Sequence, residues 1–205
     1  MKKVVCTLLP ILVIALAFGT VSAMAQNAPD DVYAIGYYSG ANVATNPDTT
    51  LRVINDGSAG EADLCAAIYV FDNSQELQAC GSCPVTADGI ISESVNRNLL
   101  GNVLTAAVNK AGVIKVLSTA TATGGPSECS ASAQYSGAVT PGIRGWITHI
   151  QAGKTAALPQ ITEASLKDSN YTTLETSDLE TECQFLIRLG SGHGQISCTL
   201  EDTAW

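Results

Sequence analysis

Short runs rich in β-branched and aromatic residues recur along this chain, each closed by a turn signal, and this rhythm restricts the fold more than any other feature. Val32 to Tyr38, Thr50 to Ile54, Leu64 to Phe71, Gly112 to Thr119, Arg144 to Ile150 and Ile161 to Leu166 each have the length of a strand. Between them stand Asn46-Pro47-Asp48, Asn55-Asp56-Gly57, Asp72-Asn73-Ser74, Ala87-Asp88-Gly89, Gly124-Gly125-Pro126 and Pro141-Gly142, whose residues tolerate positive φ or preset a bend. Strands punctuated in this way predict a mainly β protein, an antiparallel β-sandwich of Ig-like or jelly-roll-like type.

Leu64 to Phe71 is apolar at nearly every position, which predicts a central strand covered on both faces. In Arg144 to Ile150, Trp146, Thr148 and Ile150 fall on one face and Ile147 and His149 on the other; the Trp146 face is expected to point inward. Asn98 to Asn109 mixes helical spacing with Gly101 and flanking asparagines and reads as an irregular strand-loop segment. Thr119 to Gly142, rich in small polar residues around Cys129, reads as a long surface loop pinned by that cysteine. No repeat of fixed period emerges, which argues against a solenoid.

One amphipathic helix is expected near the C-terminus, over about residues 177–189. Ser177 and Glu180 form a capping box, Leu179, Cys183, Leu186 and Leu189 trace an apolar stripe, and Gly190 ends the helix. Asp178, Glu180 and Glu182 suit its positive end and Arg188 its last turn.

The cysteines locate the protein. Lys2 and Lys3, the apolar stretch Val4 to Phe18 and the small-x-small site Ala23-Met24-Ala25 make residues 1–25 a secretory signal peptide, with Gln26 as the mature start. That stretch is about 15 residues long, short of the roughly 20 a spanning helix needs. Six of the seven cysteines follow the signal and only Cys6 lies within it. The expectation is Sec-type export to the cell exterior, the cell surface or the periplasm, where residues 26–205 form one disulfide-stapled domain.

Loss of Lys2 and Lys3 leaves 8 basic against 19 acidic residues, a balance of −11. Such a surface repels phosphate backbones and anionic headgroups, so neither nucleic acid nor, after signal cleavage, a membrane is an expected partner.

Cys80-Gly81-Ser82-Cys83-Pro84 is the sharpest chemical string. Two thiols at this spacing can close a small ring, hold one metal ion or exchange disulfides. An exchange enzyme places the first thiol at a helix N-terminus, whereas Pro84 to Gly89 reads as a turn leading to another strand. A structural zinc site wants a second close pair, and Cys65, Cys129, Cys183 and Cys198 are solitary. All six are therefore expected in structural disulfides, with Cys80 and Cys83 as attacking and resolving thiols in the alternative reading, and no cofactor or metal. Six cysteines allow 15 pairings. Cys183 with Cys198 is the expected local pair, which leaves Cys65, Cys80, Cys83 and Cys129 for the other two bridges and Cys65 in a buried one.

Other strings carry less. Gly190-Ser191-Gly192-His193-Gly194 follows a helix instead of opening one, so it reads as a C-terminal glycine turn and not a phosphate loop. Neither His149 nor His193 sits in a catalytic string. Asp56 to Asp63 lacks the acidic ladder of an EF-hand. Tyr37, Tyr38, Trp146 and Trp205 are candidate stacking platforms for a glycan.

Leu64 to Asp72, the string Cys80-Gly81-Ser82-Cys83-Pro84-Val85-Thr86, and the ending Leu189-Gly190-Ser191-Gly192-His193-Gly194 before Cys198 resemble small secreted bacterial proteins. The resemblance implies a secreted bacterial protein and no activity. The leading expectation is a non-enzymatic secreted or cell-surface structural or interaction protein whose partners are surface or matrix components or further copies of itself in an assembly, with Gln26 to Tyr38 as the segment to pair with a neighbour. The alternatives are a thiol-disulfide oxidoreductase using Cys80 and Cys83 and an extracellular glycan- or ion-binding module.

Overall fold

The computed structural model describes residues 32–41, 48–60, 62–104, 110–121, 129–132, 137–151 and 160–198. The expected signal peptide, Gln26 to Asp31 and Trp205 lie outside them.

Two antiparallel sheets face one another. The five-stranded sheet contains β1 (Tyr33–Ser39), β3 (Leu64–Asp72), β4 (Leu77–Val85), β6 (Ala111–Ala120) and β9 (Lys167–Asp168) in the order β4-β3-β6-β1-β9. The four-stranded sheet contains β2 (Thr50–Asn55), β5 (Ile90–Ser94), β7 (Ile143–Gln151) and β8 (Gln160–Ser165) in the order β5-β2-β7-β8. The helix α1 (Thr173–Leu189) lies against the outer face of the larger sheet, as the packing of Leu179, Cys183 and Leu186 with Tyr69 and Cys80 shows. The mainly β sandwich with one C-terminal helix is the architecture expected.

β3 illustrates why its residues are apolar throughout. Leu64, Ala66, Ile68 and Val70 pack into the space between the sheets, and Ala67 and Tyr69 pack under α1. The strand is hydrogen-bonded on both sides, to β4 and to β6, so it is central in both senses.

The turn expected over Pro84 to Gly89 is present from Thr86 to Gly89, where Gly89 N donates to Thr86 O at 2.8 Å, and it leads into β5; only Pro84 and Val85 belong instead to β4. Its string runs straight through Cys80-Gly81-Ser82-Cys83-Pro84 as an extended strand. Pro84 is tolerated because β4 pairs with a strand on one side only. Part of its other edge is covered by the C-terminal segment, where Cys80 N donates to Gly194 O at 2.8 Å and Ile196 N donates to Cys80 O at 3.0 Å.

The expected inward face of β7 is corrected. Gly145 and Ile147 face the interior, opposite Val53 and Leu51 of β2, while Trp146 pairs with Arg52 and Thr148 donates toward Glu163 on the outer face. The larger side chain is outside because Gly145 must leave room: a Cβ there would stand 2.5 Å from Leu166 Cδ1.

The helix starts one turn earlier than expected. Thr172 is its cap, its hydroxyl accepting from Glu175 N at 3.2 Å, and Ser177 is exposed within the helix. Thr176 joins Leu179, Cys183 and Leu186 on the buried side, whereas Leu189 is exposed. Gly190 closes the helix, its N–H donating to Leu186 O at 2.8 Å. The segment read as irregular from Asn98 begins inside a single π-helical turn, Val95–Leu99, and residues 105–109 lie outside the described ones.

Three disulfides close: Cys65–Cys129, Cys80–Cys183 and Cys83–Cys198. The expected Cys183–Cys198 pair is not among them. Cys183 faces β4 from the helix, whereas the segment after the helix turns along the edge of that strand and carries Cys198 to its inner side. No helix among the described residues is long and apolar enough to cross a membrane. Three bonded cysteine pairs point to an oxidising, extracytoplasmic environment.

Candidate functional site

The chain leaves the four-stranded sheet at the end of β8, crosses the open flank of the sandwich at Leu166 and joins the five-stranded sheet as β9. Leu166 N donates to Gly145 O at 2.8 Å, and its side chain is buried between the sheets. Gly36 and Gly145 admit it: a Cβ on Gly36 would stand 2.4 Å from Leu166 Cδ2 and 2.5 Å from Ile147 Cδ1. β9 then pairs only with Ala34 and Ile35. From Gly36 onward the outer edge of β1 has no strand beside it among the described residues.

That interrupted edge forms a cavity of about 480 Å³, bounded by β1, β7, the end of β8, β9 and Val113 of β6. Its walls are chiefly aliphatic. His149 lies in them 6 % exposed, with its Nε2 buried and lacking a hydrogen-bond partner. Burial holds its imidazole below the ordinary value of 6.5, so it is neutral at pH 7. Tyr37, 61 % exposed, stacks on it with ring centroids 4.8 Å apart and planes at 26°.

Of the other expected stacking residues, Tyr38 is fully buried, donates its hydroxyl to Phe71 O at 3.2 Å and has its pKa pushed up to about 12 by burial. Trp146 lies on the outer face of the smaller sheet, and Trp205 is outside the described residues. Among the described residues, Tyr37, Tyr38 and Trp146 therefore do not make one shared platform; Tyr37 pairs instead with His149, a partner that strand alternation gave no reason to expect. His193 is exposed in the turn after the helix, apart from His149.

The structure does not bring Cys80 and Cys83 together. Successive strand residues alternate faces, so two positions three apart point in opposite directions. Cys80 meets α1 and Cys83 the sandwich interior. Cys65 is buried, its partner Cys129 is half-buried, and Tyr69 anchors the same loop by donating to Ala131 O at 3.0 Å.

A buried acid on the inner face of β5 was not legible in the sequence. Glu93 is fully buried, and its carboxylate lies within 4.8 Å of the sulfurs of Cys83 and Cys198. Both sulfurs are committed to one disulfide, so the trio is not assembled as thiolate ligands. The acids of the segment from Asp56 to Asp63, discounted above as a calcium loop, serve the fold: Asp56 accepts from Arg144 Nε at 2.9 Å and Ser58 N at 3.0 Å, and Asp63 from Ala87 N at 3.3 Å. Glu61 lies outside the described residues.

The outer layer is tied by charge. Glu175 on α1 accepts at one oxygen from Tyr33 Oη at 2.6 Å and Lys115 Nζ at 2.8 Å. The hydrogen bonds from Lys115 and Tyr33 hold its carboxyl below the usual value, while burial and the nearby carboxylate push the Tyr33 phenol up. No protein-family model, curated protein or solved structure matches the chain.

Proposed function

We propose that this protein is a non-enzymatic secreted or cell-surface interaction protein that offers the flank cavity to a small ligand from a frame clamped by three disulfides. The observation that carries the reading is the flank cavity itself, a hollow of about 480 Å³ with Ile35, Val113, Ile147 and Leu166 in its walls and Tyr37 stacked on His149 at its side. The disulfides favour the same view, because each ties a segment outside the two sheets to a strand of the larger one. Export by the signal expected at residues 1–25 belongs to this reading.

β1 is paired with β6 along its whole length, so strand donation by Gln26 to Tyr38 is not part of the proposal. The test is a thermal-shift screen of the exported protein against neutral ring compounds, saccharides and divalent ions, with mass spectrometry of what is recovered. The expected result is a raised Tm with one compound class, the compound returned unchanged and all three bridges intact. Conversion of a compound, or glutathione exchange at Cys80 or Cys83, would overturn the non-enzymatic reading. No shift with any class would overturn the binding one.

A further inference from the structure

We propose that Asn170 is an acceptor for N-linked glycosylation, its carboxamide taking a saccharide from a polyprenyl-pyrophosphate donor outside the cytoplasm. The site lies in the connector between β9 and α1 and does not depend on what the flank cavity binds.

The acceptor pattern is an asparagine followed two places later by serine or threonine, with no proline between. Asn170-Tyr171-Thr172 is the one place where the chain carries it, and the other nine asparagines all lack the hydroxyl residue. The pattern alone arises easily by chance, so its meaning depends on where the asparagine stands. Asn170 and Tyr171 are exposed and belong to no helix or strand. The backbone is held at Ser169, whose N–H donates to Tyr33 O at 2.9 Å, and at Thr172, whose carbonyl accepts from Thr176 N at 3.1 Å. Between these anchors neither the backbone nor the carboxamide of Asn170 is hydrogen-bonded among the described residues. An asparagine that supports the fold looks different: Asn55 donates its carboxamide to Ala62 O at 2.9 Å and to Val85 O at 3.1 Å. Modifying Asn170 therefore breaks no bond that the fold uses.

The flanking groups remain usable by an enzyme. Thr172 Oγ1 accepts from Glu175 N at 3.2 Å, which occupies a lone pair and leaves the O–H to donate. Asp168, exposed two residues ahead of Asn170, presents a carboxylate that a basic side chain can grip. In the transfer, Asn170 Nδ2 forms a bond to the anomeric carbon of the saccharide as that carbon's bond to the phosphate oxygen breaks. The polyprenyl pyrophosphate leaves with the bonding pair, and one amide proton passes to a base of the enzyme; nothing is oxidised or reduced. Because Asp168 and Ser169 also line the flank cavity, the saccharide stands beside its rim.

The test incubates the folded, exported protein with a polyprenyl-pyrophosphate-linked oligosaccharide of known mass and a purified oligosaccharyltransferase, chosen because it modifies a free peptide spanning Asp168 to Thr172. Mass spectrometry is expected to show one oligosaccharide per chain, on the peptide containing Asn170, with all three bridges intact. Asn170→Gln should lose the adduct. Thr172→Asn keeps a good helix cap but removes the hydroxyl, so it should lose the adduct while its unfolding midpoint stays close to that of the wild type. Asp168→Asn should slow the transfer, and an unchanged rate overturns the part given to that acid. No adduct on the folded wild-type protein overturns the proposal, and that readout needs no variant to fold. An adduct that persists in Asn170→Gln, or one as complete in Thr172→Asn as in the wild type, overturns it as well. None of these outcomes bears on ligand binding in the cavity, so the two readings stand or fall separately.

Discussion

Cys80 and Cys83 leave opposite faces of the same strand, one bonded to Cys183 on the outer helix and the other to Cys198 of the C-terminal segment. A spacing of three is odd, and an extended backbone turns every odd step to the other side. The two thiols thus clamp two different layers to β4. One string does the work of two anchors, and the attack of one thiol on the other's bond is geometrically remote from the folded arrangement.

Removing the outer clamp is expected to free the helix first. The Cys80–Cys183 bridge closes a separation of 103 residues, for which the loss of chain-entropy restriction amounts to about 4–5 kcal/mol. In Cys80→Ala/Cys183→Ala, urea unfolding followed by the helical circular-dichroism signal should precede the loss of aromatic fluorescence. Removing Cys65–Cys129, with a separation of 64, should cost a similar amount while the two signals change together.

Leu166 and Gly145 are matched in size. Gly145→Ala places a methyl 2.5 Å from Leu166 Cδ1 and is expected to cost about 1–3 kcal/mol by overpacking. In Gly145→Ala/Leu166→Ala the clash is relieved, so the double variant should lose less than the sum of the singles. A double-mutant cycle by denaturant unfolding checks this, and strict additivity would show that the two sites do not compete for space.

The clasp around Glu175 should be sensitive to acid. Its carboxyl titrates below the ordinary 4.5 in the folded protein, so its contribution is complete above that value and disappears as pH falls through the lowered one. Because the groups are partly exposed, Glu175→Gln is expected to cost no more than about 1 kcal/mol at neutral pH. Unfolding midpoints of variant and wild type, measured from pH 7 down to pH 3, should converge.

His149 should give a second acid-side dependence at higher pH. Its folded pKa lies below 6.5, so the unfolded chain takes up the proton first and stability falls as pH drops from about 6.5 towards the lowered value. His149→Phe should flatten that part of the profile of Tm against pH. An unchanged slope would place the titration elsewhere.

Six strands were legible because their residues alternate or are apolar throughout, and β3 in particular announces its burial on both faces. β4 was not, since Gly81, Ser82 and Pro84 carry turn signals. Their extended conformation is imposed by pairing with β3 and by Ile196, which packs where a Cβ on Gly81 would lie 2.8 Å away. The helix start was ambiguous for a definite reason: Thr172 with Glu175 and Ser177 with Glu180 both fit a capping box. The earlier one is used because Glu175 then reaches Tyr33 and Lys115, contacts that only the fold creates. Disulfide pairing followed the same logic, since Cys198 reaches Cys83 through a backbone path along the edge of β4 that no spacing rule encodes. The cavity lay further still from the sequence, as it joins Tyr37 to His149 across the two sheets.

Peptide mapping of the exported, non-reduced protein tests most directly whether the cysteines are structural clamps. The account predicts three linked pairs, Cys65 with Cys129, Cys80 with Cys183 and Cys83 with Cys198, unchanged after mild glutathione treatment at neutral pH. A peptide containing Cys80 and Cys83 bonded to each other, before or after that treatment, would contradict it.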